Sequence, residues 1–451
     1  MIQDQGRSAW KELIFKLNAQ CEVDNKIAIP NSISFDNYKI TELDSGIKVI
    51  SEHMPHFRSI SLGFWVPTGS RDENKSNNGI THLIEHLIFK GTGKRSYKDI
   101  AIEFDIMGAE FNAFTDKENC CIYADFIDEH LEKSIEILFD IICNPLFLTE
   151  HIKTEKKVVL EEIKMAGDSP SDSVLNHFYH EVYDGHPLSL PVLGTGKTLA
   201  KINKRAIISY FRQRFGLGNM VISAAGNIKH EDLLRLIREN TEGSIILNNH
   251  MTDGKNGLPK NCRGLQKIHN SKTKAAHLCF GGLGCNRSNS DSYPISLFTN
   301  LLGGTMSSRL FQKIREDEGL AYSIFANNVQ YKDTGLVFIY SASSKRNVKK
   351  ILSLIKNEIN DIRKNGVKSE ELKRARENIK GNIVLGIEDI SSRMFRLGKT
   401  LMFDKKVLTI NQILKKIDKV TVMDINRVVE KYFDPANFSA VILGKNTGGK
   451  L

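Results

Sequence analysis

The chain has 451 residues, with 63 Lys plus Arg against 53 Asp plus Glu, a formal charge of +10. Hydrophobic residues make up 41% and charged residues 26%, which excludes wholesale disorder, and 33 Gly with 10 Pro in no short period exclude a fibrous chain. No run approaches the roughly 18 uninterrupted apolar residues of a membrane helix, so no membrane span is expected.

Residues 1–35 read as an N-terminal extension. Leu13 to Leu17 is short and contains Lys16, so it is no signal-peptide core, and Asp4 and Glu12 argue against a transit peptide. Seven cysteines (Cys21, Cys120, Cys121, Cys143, Cys262, Cys279 and Cys285) form no CxxC pair. They read as reduced thiols, which places the protein in the cytoplasm, with the mitochondrial matrix as the alternative.

The stretch from Asn78 to Gly91 reads as one short helix, with Asn78 as N-cap and Gly91 as terminator. His82 and His86 are four residues apart and leave the same helix face, a spacing at which two neutral imidazoles can grip one zinc ion. Glu85 borders that face and can take a proton without occupying a coordination position. The order H-x-x-E-H is the inverted form of the commoner zinc-protease motif. A buried helix with satisfied histidines is the alternative, since Leu83, Ile84, Leu87 and Ile88 also suit a core. Further on, Phe111, Ala113 and Thr115 read as one face of a hairpin strand returning through Cys121 to Phe126.

A helix over Thr149 to Met165 carries Glu155 and Glu162 two turns apart on one face. Glu162 is the candidate third ligand and Glu155 a carboxylate that orients it or the water. On spacing alone these acids equally form a solvated face with Lys153, Lys156, Lys157 and Lys164.

Phe215 to Gly226 is matched by Phe433 to Gly444, and the offsets 433 − 215, 437 − 219 and 444 − 226 all equal 218. Each copy reads as a helix end, a turn and an apolar strand closing at Gly. The chain therefore divides into a first half at 36–245, a polar linker at 246–272 and a homologous second half at 273–451. The fold class is α+β, each half a β-sheet covered by helices. Shifted by 218, Thr81-His82-Leu83-Ile84-Glu85-His86 falls on Thr299-Asn300-Leu301-Leu302-Gly303-Gly304. The metal chemistry is confined to one copy, which predicts a catalytic and a non-catalytic half.

With these blocks in view, the chain resembles the pitrilysin, insulysin and mitochondrial processing peptidase family of zinc metallopeptidases, in its compact bacterial processing-protease-like branch. The resemblance covers about residues 40–445. It rests on Gly79 to Thr92, Asn112 to Glu118, Glu155 to Met165, and Gly303 to Tyr322. It implies one zinc ion held by His82, His86 and Glu162, with Glu85 as general base and Glu155 assisting, and it selects Glu162 over Glu161. It implies that Asn112 and Ala113 lie on an edge strand that pairs with an extended substrate. It further implies that Arg315 and Tyr322 of the second half reach the substrate near zinc. Without the resemblance, Arg315 reads as a surface partner of Glu316 or Glu318. The two halves are then expected to close as a clamshell around a chamber.

The resulting expectation is a zinc endopeptidase that hydrolyses peptides or unfolded, presequence-like segments by zinc-activated water. The alternative is a non-catalytic assembly subunit of the same fold. A peptide is the expected partner, and the resemblance leaves room for a homodimer or a related partner subunit. A nucleic-acid partner is not expected, because the basic residues are interspersed with acids along helices. His177 and His180 read as surface histidines.

Overall fold

The computed structural model describes residues 37–242, 259, 264–271, 273–404 and 406–444. The N-terminal extension and most of the expected linker lie outside the described residues.

The first sheet has six strands in the order β1-β2-β6-β3-β5-β4. They are β1 (Tyr38–Glu42), β2 (Lys48–His53), β3 (Ser59–Val66), β4 (Glu110–Thr115), β5 (Cys120–Ile127) and β6 (Val221–Gly226). β3 is apolar at nearly every position because both of its faces are covered. Ile60, Leu62, Phe64 and Val66 enter a core shared with α1 (Ile80–Ile88), α2 (Leu131–Cys143), α3 (Thr149–Asp168) and α5 (Lys204–Arg214). Between α3 and α5 the chain forms α4 (Pro170–Val182), which turns away from that core.

The second sheet has five strands in the order β7-β11-β8-β10-β9. They are β7 (Gln266–Asn270), β8 (Ala276–Gly284), β9 (Ala321–Gln330), β10 (Gly335–Ser343) and β11 (Ser439–Gly444). Leu278, Phe280, Val337, Ile339 and Ile442 face a core built with α6 (Ser292–Thr299), α7 (Val348–Asn365), α8 (Ser369–Gly386) and α10 (Val422–Tyr432), while α9 (Ile390–Phe403) lies elsewhere. Apart from the additional strand β1, the sheets share one topology. β2 runs parallel to β6 as β7 does to β11, and the remaining neighbours are antiparallel. The 218-residue offset holds at its strand, since Val221–Gly226 and Ser439–Gly444 occupy the same place in the two sheets. The fold is thus α+β with two homologous halves.

The outer faces of the sheets are covered by exchange between the halves. α4 lays Val174, Phe178 and Val182 on Phe338, Tyr340, Val441 and Leu443 of the second sheet. α9 lays Met394 and Leu397 on Ile50, Trp65, Cys121 and Val221 of the first. Buried Arg393 of α9 pairs with buried Glu52 of β2. Helix α9 can lie this close only because Gly398 faces Trp65. A Cβ at that position would meet Trp65 Nε1 at 2.0 Å and Ser223 Oγ at 2.6 Å, displacing the 2.8 Å hydrogen bond between them. Gly398→Ala is expected to cost about 1–3 kcal/mol by overpacking, seen as a lower urea midpoint.

The halves also meet at their equivalent hairpin turns. Glu118, in the β4–β5 turn, accepts hydrogen bonds from Arg71, from Arg287 at 3.2 Å and from the Lys332 amide at 3.0 Å. Arg71 also pairs with Asp333 in the β9–β10 turn at 2.7 Å. Tyr179 and Tyr183 of the α4 region reach Tyr331 and the Gly335 carbonyl, both at 2.9 Å. Among the described residues no helix is long and apolar enough to cross a membrane. The described cysteines Cys120, Cys121, Cys143, Cys279 and Cys285 are free thiols.

Candidate metal centre

Helix α1 forms where apolar side chains recur on a buried face, with Leu83, Ile84, Leu87 and Ile88 all in the core. Its ends differ from the sequence expectation. Asn78 does not cap it; Gly79 does, with φ of 94°, and no side chain at the cap position takes up the free amides. Buried Glu73 takes that role, accepting from the Gly79 amide at 2.7 Å and the Thr81 amide at 2.8 Å. Asn78 instead donates to Glu73 at 2.8 Å and to the Pro191 carbonyl at 2.9 Å. Burial pushes the Glu73 carboxyl up to about 7, against the pull of those donors. The helix stops at Ile88 with Phe89 as its C-cap, ahead of Gly91. The tight approach of the Leu193 carbonyl, 2.8 Å from where a Cβ would stand, together with the positive φ, explains glycine at position 79.

Helix α3 packs along α1 and brings its acids to the two histidines. Glu162 Oε2 lies 3.7 Å from His82 Nε2 and 3.5 Å from His86 Nε2. One ligand atom from each of the three residues falls within 4.8 Å of the other two. Glu162 Oε2 is buried and has no hydrogen-bond donor. A carboxylate oxygen left unpaired between two imidazole nitrogens suits a cation, and two nitrogens with one oxygen suit zinc with a position left open. Burial, aided by the neighbouring His86, pushes His82 down to about 4, so its ring is neutral and its lone pair free to coordinate.

The surroundings orient this set. Glu155 Oε2 lies 3.2 Å from His86 Nδ1, and its other oxygen pairs with Lys90 at 2.9 Å. A carboxylate on Nδ1 fixes the tautomer that leaves Nε2 free to bind. Burial opposes charge on His86, but the Glu155 hydrogen bond and the charges of Glu162 and Glu85 outweigh it, and its pKa is raised. Glu85 receives a hydrogen bond from Thr115 Oγ1. Burial raises the Glu85 carboxyl, while Thr115 and His86 pull it back down.

Asn112 and Ala113 lie on β4, which is the last strand of its sheet and pairs on one side only. The Asn112 side chain accepts from the Ala113 amide at 2.8 Å. β4 and β5 form the expected hairpin. Arg315 stays on its own turn, with its guanidinium over Phe311 at 4.8 Å and near Glu316 at 3.9 Å. Tyr322, on edge strand β9, is 71% exposed. Thus His82, Glu85, His86, Glu155 and Glu162 are brought together, while no hydrogen bond or ion pair among the described residues ties Arg315 or Tyr322 to them. His177 stacks on His269 with ring centroids 3.7 Å apart, and His180 is exposed.

Glu73 and Lys90 carry no signal in the sequence, and Thr115 reads there only as part of one face of a hairpin strand. Only the fold turns its hydroxyl toward Glu85. The second half has a counterpart of the centre that the sequence offset reveals only in part. Asn300, in the place of His82, donates to Asn378 at 2.9 Å. Asn378 follows Glu371 by seven residues, as Glu162 follows Glu155, and Arg309 pairs with Glu371 at 2.7 Å as Lys90 pairs with Glu155. At Gly303, in the place of Glu85, a Cβ would meet the Ala326 amide nitrogen at 2.5 Å. Strand β9 therefore occupies the space a base would need.

A family model described as insulinase (peptidase family M16) matches residues 48–196. A second, described as the peptidase M16 inactive domain, matches residues 201–379. The uncharacterized zinc protease YmxG of Bacillus subtilis (strain 168) is 35% identical over 390 residues, covering 86% of this chain and 94% of that protein. An uncharacterized zinc protease of Rickettsia bellii (strain RML369-C) is 32% identical over 419 residues, covering 92% and 99%. Among solved structures, a protease from Helicobacter pylori superposes with a TM-score of 0.84 at 19% identity, covering 90% of this chain and 99% of the other. A peptidase M16 inactive domain from Pseudomonas fluorescens gives 0.84 at 18% identity, covering 92% and 99%.

Proposed function

As this chain belongs to the insulinase (M16) peptidase family, we propose that it is a zinc-dependent endopeptidase acting on extended peptides or unfolded segments. His82, His86 and Glu162 would hold the metal. Zinc bound there supplies a Lewis acid that polarises a carbonyl and lowers the pKa of water. Glu85 takes the proton of the attacking water and delivers it to the leaving amine; burial raises its pKa, which makes it a stronger base for that task. Glu155 holds the His86 ring in its binding tautomer.

The substrate adds to the sheet at β4. Its backbone replaces the internal bond between Asn112 and the Ala113 amide, and side-chain pockets supply selectivity. In this reading residues 36–245 form the catalytic half, and the second half closes over the chamber. That half extends beyond the expected 273–451, because β7 (Gln266–Asn270), inside the expected 246–272 linker, already pairs with β11. Arg315 and Tyr322 supply donors to the substrate, a role supported by their exposure and by the absence of a hydrogen-bond partner for the Tyr322 hydroxyl among the described residues. The free thiols support a reducing compartment such as the cytoplasm.

The observation that carries this reading is the unpaired Glu162 oxygen set between two imidazole nitrogens. Metal analysis of the purified chain should find about one zinc per molecule. A quenched-peptide assay should lose its signal on chelation and regain it with added zinc. A wild type that binds no zinc sinks the proposal, and one that binds zinc yet cleaves no peptide favours the assembly-subunit alternative.

A further inference from the structure

Thr115 ends strand β4, paired across the hairpin with Cys120. Side chains two apart share a face of a strand, so Thr115 lies on the side of Phe111 and Ala113, which pack against the first core beside α1. An unpaired hydroxyl is costly on such a face. Its proton goes to Glu85 Oε2, and Thr115 is the one hydrogen-bond partner of that carboxylate among the described residues.

Two consequences follow from this placement. The Glu85 carboxylate is free to turn about its last torsions unless Thr115 holds one oxygen, and that hold leaves the other oxygen to face the reacting water. The hydroxyl is also mounted on the strand proposed to receive the substrate, two residues beyond Ala113. Backbone pairing at Asn112 and Ala113 would stiffen β4 and with it the hydroxyl. Only a strand residue bearing a donor can link substrate docking to the base in this way; Phe111 and Ala113, on the same face, cannot.

We propose that Thr115 is a positioning residue, which aligns the Glu85 carboxylate and ties that alignment to occupation of the edge strand. This rests on the reading of Glu85 as the general base. The hydroxyl bonds Glu85 and none of His82, His86 and Glu162, so its contribution is expected in the turnover rate, with both binding steps left alone.

The experiment compares the zinc-loaded full chain with Thr115→Ser, Thr115→Val and Thr115→Ala, using a quenched peptide long enough to span β4. Val preserves the shape without the donor, Ala removes the donor without straining the packing, and Ser restores the donor. For Val and Ala, kcat should fall by about tenfold to hundredfold, the scale of a misaligned reacting group. KM and zinc content should stay at wild-type values, and Ser should keep kcat within about twofold of wild type. Wild-type kcat in both Val and Ala overturns the positioning role, as does a Ser variant as slow as they are. Loss of zinc in the Val and Ala variants also overturns it, because the hydroxyl would then be supporting the metal site. A wild type without zinc-dependent hydrolysis overturns the reading of Glu85 itself, a result distinct from an active wild type matched by its variants.

Discussion

Replacing Glu85 with Gln should lower peptide hydrolysis by about 10²- to 10⁴-fold, the usual worth of a positioned general base, while zinc stays bound. Gln keeps the size of the side chain and an oxygen for Thr115 to donate to, but it cannot accept the proton of water at neutral pH. His82, His86 and Glu162 are untouched, and Glu85 is not among the three residues whose ligand atoms converge. Binding should therefore survive the loss of turnover: KM for a quenched peptide and zinc per chain should both stay near wild type. This split separates a base from a structural carboxylate. A variant within tenfold of the wild-type rate would place the base elsewhere, and one that loses zinc would make Glu85 part of the metal site.

The second large effect is on stability. Glu118→Ala should destabilise the chain by about 2–3 kcal/mol, because it removes one of the two carboxylates on a buried cation together with the acceptor of further buried donors. The Arg71 side chain is 3% exposed and that of Glu118 4% exposed, so water cannot take over the lost contact. Asp333 would remain on Arg71, but the Lys332 amide and one side of Arg287 would lose their acceptor. These groups come from both halves, so the damage should appear as earlier loss of the junction between them. Urea unfolding followed by the fluorescence of Trp65, which is buried under α9 of the other half, reads it in a Trp10→Phe background that removes the other tryptophan. Glu118→Gln, which retains an acceptor, should cost less than Ala. A loss below about 1 kcal/mol would mark the cluster as no stronger than a surface ion pair.

Both variants act on features that differ in how far the sequence reveals them. The H-x-x-E-H spacing announces Glu85, because i and i+4 positions of a helix share a face whatever the rest of the fold does. Glu118 carries no such signal. Its partners lie 47 and 169 residues away, and a lone acid in a turn looks solvated until the second hairpin is folded against it. The same holds for the end of α1. Local rules favoured Asn78 as the cap, but a carboxylate buried five residues earlier took the amides because the chain loops back on itself. Glu162 is intermediate. Its spacing from Glu155 is visible in the sequence, yet that pattern fits a solvated face equally well, and only the packing of α3 on α1 sets the Glu162 carboxylate beside the two histidines.

The duplication was legible because apolar strand patterns persist at a constant offset, and the sheet topologies repeat accordingly. The exchange of α4 and α9 was not legible. An amphipathic helix specifies that it must cover an apolar face but not whose, and each sheet offers a second apolar face to either half. The counterpart centre was half legible: the offset placed Asn300 and Gly303 opposite His82 and Glu85. That Asn378 pairs with Asn300, and that β9 fills the space beside Gly303, depends on packing.

The sequence by itself determined the α+β class, the two related halves, the family and the helix that carries His82, Glu85 and His86, since each of these is written in local periodicity or in a repeated pattern. Only the tertiary structure decided which carboxylate stands unpaired between the imidazoles, which hydroxyl holds Glu85 and which half covers which sheet. Those are contacts between segments far apart in the chain, selected by shape and by the cost of leaving a buried polar group alone, and neither quantity exists until the halves have closed on each other.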